Sequence, residues 1–433
     1  MTIQFSNPEF PALHVPESNL LAVLTPNAAE APAPIEQLTE QALDHPFEQD
    51  PLEKLVSPST QVLILVDDVT RQTPAAAVLP AVLRRIEGAG VPRANIRFLI
   101  AAGTHARMTT EELERKLGAP ILQGYSVTLH HWQDQQHLRE IGTVGPGVPV
   151  RVNRMLAEAD LVMGIGQIVP HRVMGLTGGA SIVQPGVSGP EVTGHTHWLS
   201  AAHSGLEIMG VADNPVRLEV EKIARMAGLR FIVNVVMDGR HRVSRVVAGD
   251  VKAAHREGAK ISRSIFGVAQ ERPADIVIAE SFPANYDLWQ AAKGIYAAEH
   301  SVREGGVVIL ITQCPHGVSE EHPEVERLGY RPVEEVKKMV ETQQMTDLVA
   351  AAHLAHTGRV IRDMAEGIMV SPGIRPQVQE HLGFRHAATP QAALEMAFGM
   401  AGRSAQVAVL LQGGHILPLV RGARASSGNS TVS

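Results

Sequence analysis

The chain has one cysteine, Cys314, in 433 residues. That excludes an intramolecular disulfide framework and any thiolate cluster for a metal, and it fits a cytoplasmic location. No apolar run approaches the roughly 18 residues needed to cross a bilayer, and the opening Met-Thr-Ile-Gln-Phe-Ser-Asn-Pro lacks the basic and apolar regions of a secretory leader. No membrane association is expected. Positive charge is short as well: the formal net charge is -7, so there is no basic footprint for nucleic acid. Aromatic residues are only 4%, against 20 histidines. Histidine is where the chain carries unusual chemistry. Hydrophobic residues at 44% and charged ones at 19% describe an ordinary globular protein, too long for one hydrophobic core, so two domains are expected.

Residues 1–57 are Pro-rich and weakly periodic apart from a helical pattern near Ile35–Leu43, and they read as an irregular lead-in wrapping the first domain. Gln61–Val66 is a continuous apolar run that suits a buried parallel strand. It runs into Asp67-Asp68-Val69-Thr70-Arg71-Gln72-Thr73-Pro74. Ligands of open α/β sheets collect at the carboxyl ends of strands, which makes Asp68 and Arg71 candidates to meet one; the plainer alternative is that Asp68 and Thr70 cap the helix beginning near Pro74. A second strand, Ile96–Ala101, leads to Gly103-Thr104-His105, and Thr109 with Glu112 spells a capping box for the next helix. Further strands are expected at Tyr125–His131, Val148–Val152, Ala159–Ile168, Phe231–Met237 and Val243–Val247. Glu271-Arg272-Pro273 reads as a linker.

Beyond it come a strand at Ala274–Ala279, a loop Glu280–Tyr286 and a helix carrying Trp289, Gln290 and Lys293, with Trp289 and Lys293 on one face. A strand around Val360 and another at Gln406–Leu411 are expected later. Strands alternating with helices in both halves argue two α/β domains with mainly parallel sheets and a site in the cleft between them, assigned to residues 1–270 and 271–420 and followed by a disordered tail, 421–433. The composition leaves a homo-oligomer open.

The densest chemistry lies in Val169–His197, V-P-H-R-V-M-G-L-T-G-G-A-S-I-V-Q-P-G-V-S-G-P-E-V-T-G-H-T-H. Its glycines let backbone N–H groups approach an anion closely, and His171, His195 and His197 add proton carriers or metal ligands. On these residues alone three readings stand: a Gly-rich anion-binding loop without catalysis, a mononuclear metal hydrolase with His195 and His197 as an H-x-H pair, and an enzyme whose metal is completed by a ligand the protein does not supply.

Taken together, Asp67-Asp68-Val69-Thr70-Arg71-Gln72-Thr73-Pro74, Ala102-Gly103-Thr104-His105, Pro170-His171, Gly175-Leu176-Thr177-Gly178-Gly179, Pro185-Gly186, His197 and Trp289-Gln290-Ala291-Ala292-Lys293-Gly294 resemble the lactate racemase family in order and spacing. The resemblance implies an isomerase that inverts C2 of a 2-hydroxy acid by reversible hydride transfer to a nickel-pincer nucleotide. His197 would be the protein's nickel ligand, and His105 and His171 the acid/base pair. Arg71 and Lys293 would hold the substrate carboxylate with Gln290 and Trp289 beside it, and Asp68, Thr70, Gly178, Gly179, Ser181, Pro185 and Gly186 would lie against the cofactor. Proteins that synthesise the cofactor are implied as partners. Hydride transfer suits the chemistry, because a C–H beside a carboxylate is too weakly acidic for an imidazole to deprotonate directly.

Two positions depart from the family. Ser181 stands where the racemase has a lysine joined to the cofactor by a thioamide, which implies either non-covalent binding here or a chain that has lost the cofactor. Trp289 replaces an expected tyrosine, which implies a bulkier or less polar substrate end.

Overall fold

A computed structural model describes residues 1–29, 33–105 and 107–421. Val62–Asp67 is buried along its whole length. Leu63 and Leu65 enter one apolar cluster, while Val62, Ile64 and Val66 enter another on the opposite face. That is what a strand covered by helices on both faces requires, and it explains the unbroken apolar run. The sheet around it runs in the order Val243–Gly249, Leu229–Met237, Leu161–Gln167, Val62–Asp67, Ile96–Ala101, Ser126–Leu129. All neighbours are parallel except the antiparallel edge pair of Leu229–Met237 with Val243–Gly249.

The second sheet is parallel throughout, in the order Arg385–His386, Ala365–Val370, Val302–Ile311, Ala274–Glu280, Val407–Leu410, Leu20–Leu24. It too has an apolar cluster on each face. Two three-layer α/β units result.

Several expectations are corrected. The N-terminal lead-in does not only wrap the first unit: Leu20–Leu24 is the edge strand of the second sheet, and Ser6 and Asn7 donate their N–H groups to the buried Glu280 carboxylate at 3.0 and 2.6 Å. Glu280 thus anchors the chain's beginning. Val148–Asn153 pairs with Leu138–Val144 in a separate antiparallel hairpin and does not join the main sheet. Residues 359–364 form a π-helical turn continuing the helix Leu348–Gly358, and the strand follows at Ala365–Val370. Val360 and Ile361 are buried there as the end of a helix. Past Arg421, the expected tail lies outside the described residues.

The helix Pro190–Ala201 begins well before His197, with Gly189 at its N-cap, Pro190 at its first position and Glu191 in its first turn. Those are ordinary helix-start signals. His195 and His197 therefore sit on a helix two residues apart and face different ways. No helix among the described residues is long and apolar enough to cross a membrane.

Candidate active site

The loops after Val62–Asp67, Ile96–Ala101 and Leu161–Gln167 meet the first helix of the second unit, Leu288–Glu299, across one cleft. Asp68, Arg71, His105, His171, Gly178, Ser181, Pro185, Gly186, His197, Trp289, Gln290 and Lys293 all line it. His195 is elsewhere. Its ring lies over Gly145, with Nε2 3.8 Å from Glu219, so the H-x-H pair cannot share a metal. Among the described residues no three His, Cys, Asp or Glu side chains converge as a ligand set.

Asp68 caps no helix. Its Oδ2 lies 2.6 Å from His105 Nδ1, and its Oδ1 accepts from the Thr70 hydroxyl at 2.6 Å. Arg71 Nη1 donates in turn to Thr70 Oγ1 at 2.9 Å. Burial works against the Asp68 charge, but His105, Arg71 and Thr70 outweigh it and hold its carboxyl well below the ordinary range. A permanently charged Asp68 takes the Nδ1–H of His105 and leaves Nε2 as the basic nitrogen. The opposite tautomer is set at His171, where Val173 N–H donates to Nδ1 at 3.2 Å. In neutral His171 the proton is therefore on Nε2. Burial, with Arg71 and Lys293 nearby, pushes His171 well below its usual value.

Lys293 Nζ has one close partner, Gln290 Oε1 at 2.6 Å. Burial and the Arg71 charge depress its pKa strongly. Arg71, Lys293 and the two histidines thus make a cleft short of negative charge, which favours an anionic ligand. His197 Nδ1 lies 2.8 Å from Thr193 O, one turn back on the same helix. That bond leaves Nε2 free, and burial lowers the ring to about 4, so it is neutral near pH 7.

The glycine loop is held from behind. Arg217, fully buried, donates to the carbonyls of Met174, Leu176 and Gly178, and Asn234 Oδ1 accepts from Gly179 N at 2.7 Å. Gly178 has φ 75°, and a Cβ there would come within 2.7 Å of Ile168 and 2.9 Å of Asn234; only glycine fits. Lys116, also buried, pairs with Asp67 at 2.7 Å and donates to Asp68 O and Arg71 O at 2.9 Å each. Sequence reasoning missed Arg217, Asn234 and Lys116. Asn234 alone left a signal, as a polar residue inside the apolar run F-I-V-N-V-V-M.

Residues 8–208 match the lactate racemase N-terminal domain and residues 269–417 the lactate racemase C-terminal domain. The chain belongs to the lactate racemase family. It is accordingly a racemase-type isomerase. Among characterised lactate racemases, that of Lactiplantibacillus plantarum is 29% identical over 397 residues, covering 87% of this chain and 89% of that protein. The Thermoanaerobacterium thermosaccharolyticum enzyme is 29% identical over 311 residues, 71% of this chain and 72% of that one. The fold agrees with the lactate racemase apoprotein of the latter organism, at a TM-score of 0.84 over 97% of this chain and all of that one, with 24% identity. A Thermotoga maritima protein shares the fold at a TM-score of 0.74 and 20% identity, over 91% of this chain and all of that one.

Proposed function

We propose that the chain inverts C2 of a 2-hydroxy acid, as its lactate racemase relatives do for lactate, using a nickel-pincer nucleotide held without a covalent link. The observation that carries this reading is the pairing of opposite histidine tautomers with a guanidinium and an amine in one cleft: His105 on Asp68, His171 on Val173 N–H, and Arg71 and Lys293 beside them.

His197 fits the nickel role. It is a neutral imidazole whose Nδ1 is engaged by Thr193 O, leaving Nε2 on the cleft side as the one available donor. When bound, the nucleotide supplies an acceptor that takes the C2 hydrogen with its electron pair and returns it to either face. Arg71 and Lys293 hold the carboxylate, and its charge draws a proton to Lys293. His105 Nε2 takes the hydroxyl proton as C2 becomes planar, and Asp68 stabilises the resulting imidazolium. His171 would serve the other face: with the bound carboxylate favouring its imidazolium, it returns the Nε2 proton to the substrate oxygen as C2 is reduced and is left as the neutral base for the opposite enantiomer, so the two rings exchange roles with each turnover. Lys293 comes from the second unit and the histidines from the first, so closure of the two units completes the site and excludes water.

Ser181 carries the non-covalent part of the reading. Its hydroxyl donates to Gly178 O at 2.9 Å and offers no amine. The test is intact mass with nickel content on protein made alongside the cofactor-synthesis proteins, followed by chiral analysis of lactate. The expected result is about one nickel and a nucleotide-sized mass natively, both lost on denaturation, with racemisation by the loaded protein. Protein that acquires neither nickel nor mass would overturn it.

A further inference from the structure

His171 and Lys293 must face one substrate from different units, and the elements that carry them meet at one buried ion pair. Arg172 directly follows His171, in the tight turn between the paired strands Pro170–His171 and Gly175–Leu176. Its guanidinium crosses to Glu299, the last residue of the helix Leu288–Glu299 that carries Gln290 and Lys293. Arg172 Nε lies 3.5 Å from Glu299 Oε2, and the two side chains are 1% and 4% exposed. Among the described residues neither of these atoms has a hydrogen-bond partner. Each buried charge therefore depends on the other for compensation.

The remaining contacts of the pair reach the helix of His197. Arg172 Nη2 donates to His203 O at 2.7 Å, and Glu299 Oε1 accepts from Gly205 N at 2.7 Å. His203 and Gly205 lie just beyond the end of Pro190–Ala201, the helix that carries His197. The second unit grips the same segment at two more points: Arg359 Nη2 donates to Ala201 O at 2.8 Å, and His356 Nε2 is 3.0 Å from Ser200 Oγ. A Cβ on Gly205 would collide with the Glu299 carboxylate, so glycine is what lets that carboxylate sit there. One cation and one carboxylate thus connect the turn of His171, the helix of His197 and the helix of Lys293. Lys293 and Glu299 stand on one helix, roughly 9 Å apart along its axis, and Arg172 is bonded to His171. Little in this path can flex.

Resting on the racemase reading above, we infer that Arg172 and Glu299 are a positioning pair for the reaction, fixing the spacing between His171 and the Lys293 clamp. A misplacement of about 1 Å between reacting groups can cost roughly a hundredfold in rate, so the pair acts on turnover through His171 and Lys293. A role confined to stability would instead make activity follow the folded fraction.

The test measures stability and turnover on the same variants. Arg172→Met leaves Glu299 a buried, uncompensated charge, and Glu299→Gln does the same to Arg172, so each single variant should lower the urea midpoint. The double variant Arg172→Met/Glu299→Gln holds neither charge and keeps an amide oxygen for Gly205 N, so its midpoint should recover most of the loss. Its turnover should not recover. On cofactor-loaded protein, with the fastest substrate from a panel of lactate, glycerate, malate and gluconate, kcat should stay about tenfold to a hundredfold below the parent while KM changes less. In the apoprotein, amide exchange across His171–Gly175, where Val173 N–H holds His171 Nδ1, should be faster in the double variant than in the parent. Gly205→Ala keeps both charges and displaces the carboxylate, and it should lower kcat in the same direction. A double variant that regains both midpoint and kcat overturns this inference and leaves the racemase reading standing, as does unchanged kcat in Gly205→Ala. A loaded parent that inverts none of the panel overturns both.

Discussion

At the scale of single residues, the site is defined by which nitrogen of each histidine carries a proton. Asp68 is charged at any pH at which the protein is folded, because the groups around it overcome its burial. Asp68→Asn would replace an acceptor with an amide able to donate to Nδ1 and so move the His105 proton to Nε2, the nitrogen the mechanism needs free. Activity should fall by about a hundredfold or more with a smaller change in KM, by analogy with other carboxylate–histidine pairs. Steady-state kinetics on loaded protein would check it, and unchanged kcat would remove His105 from its role. Ser181 sets a second residue-scale prediction. Its side chain lines the cleft, so Ser181→Lys puts an amine where the family's lysine stands. The nucleotide mass should then survive denaturation. Loss of that mass on unfolding would show that the link needs more than an amine at this position.

The elements that carry these residues were legible to different degrees. Val62–Asp67, Ile96–Ala101, Leu161–Gln167 and Ala274–Glu280 are buried on both faces, and burial of that kind leaves an unbroken apolar run that any reading detects. The site loops were legible because they follow such strands. Leu20–Leu24 was not, since its partner, Val407–Leu410, lies far away in the chain and five residues, four of them half-buried, leave a weak pattern. The strand expected at Val360 failed for another reason: Val360 and Ile361 are apolar and β-branched, but they close a buried helix. Supporting residues were the least visible, because Arg217 and Lys116 look like the solvated cations of an amphipathic helix until their partners are known. Arg217 makes an element-scale prediction. Arg217→Met leaves the carbonyls of Met174, Leu176 and Gly178 without their buried donor, at a cost of about 1–3 kcal/mol for each group left unsatisfied. The urea midpoint of the first unit should fall accordingly. Amide exchange should rise across Met174–Gly186, and cofactor retention should weaken. An unchanged exchange pattern would mean that the loop holds its own shape.

For the whole molecule, the histidines that make the chain unusual are also a stability device. His130, His197, His255, His300, His353 and His356 are each less than a tenth exposed. Burial lowers all six: to about 4 for His130, His197 and His300, to about 3 for His353, and well below the ordinary value for His255 and His356. In the unfolded chain each would titrate near 6.5. A group whose folded pKa is depressed binds more protons unfolded than folded throughout the window between the two values. Its contribution is therefore complete above about pH 6.5 and is lost as pH falls. Near pH 5 each such histidine changes stability by roughly 1.2 kcal/mol per pH unit, and six together by about 7. Carboxylates such as Asp68 act in the same direction, but only below about pH 4, where their unfolded forms begin to protonate. A domain stability of about 5–15 kcal/mol would be consumed within one to two pH units below 6.5. The protein should therefore unfold near pH 5, well above the point at which its carboxylates protonate. Urea midpoints measured from pH 7.5 to 5 would give the slope directly. A slope corresponding to five or six protons supports the account, and a flat profile across that range would mean that these rings are already charged, or solvated, in the native state. On the proposed reading, a nickel nucleotide seated on His197 would compete with the proton for Nε2, so loaded protein should need a lower pH to unfold than the apoprotein does.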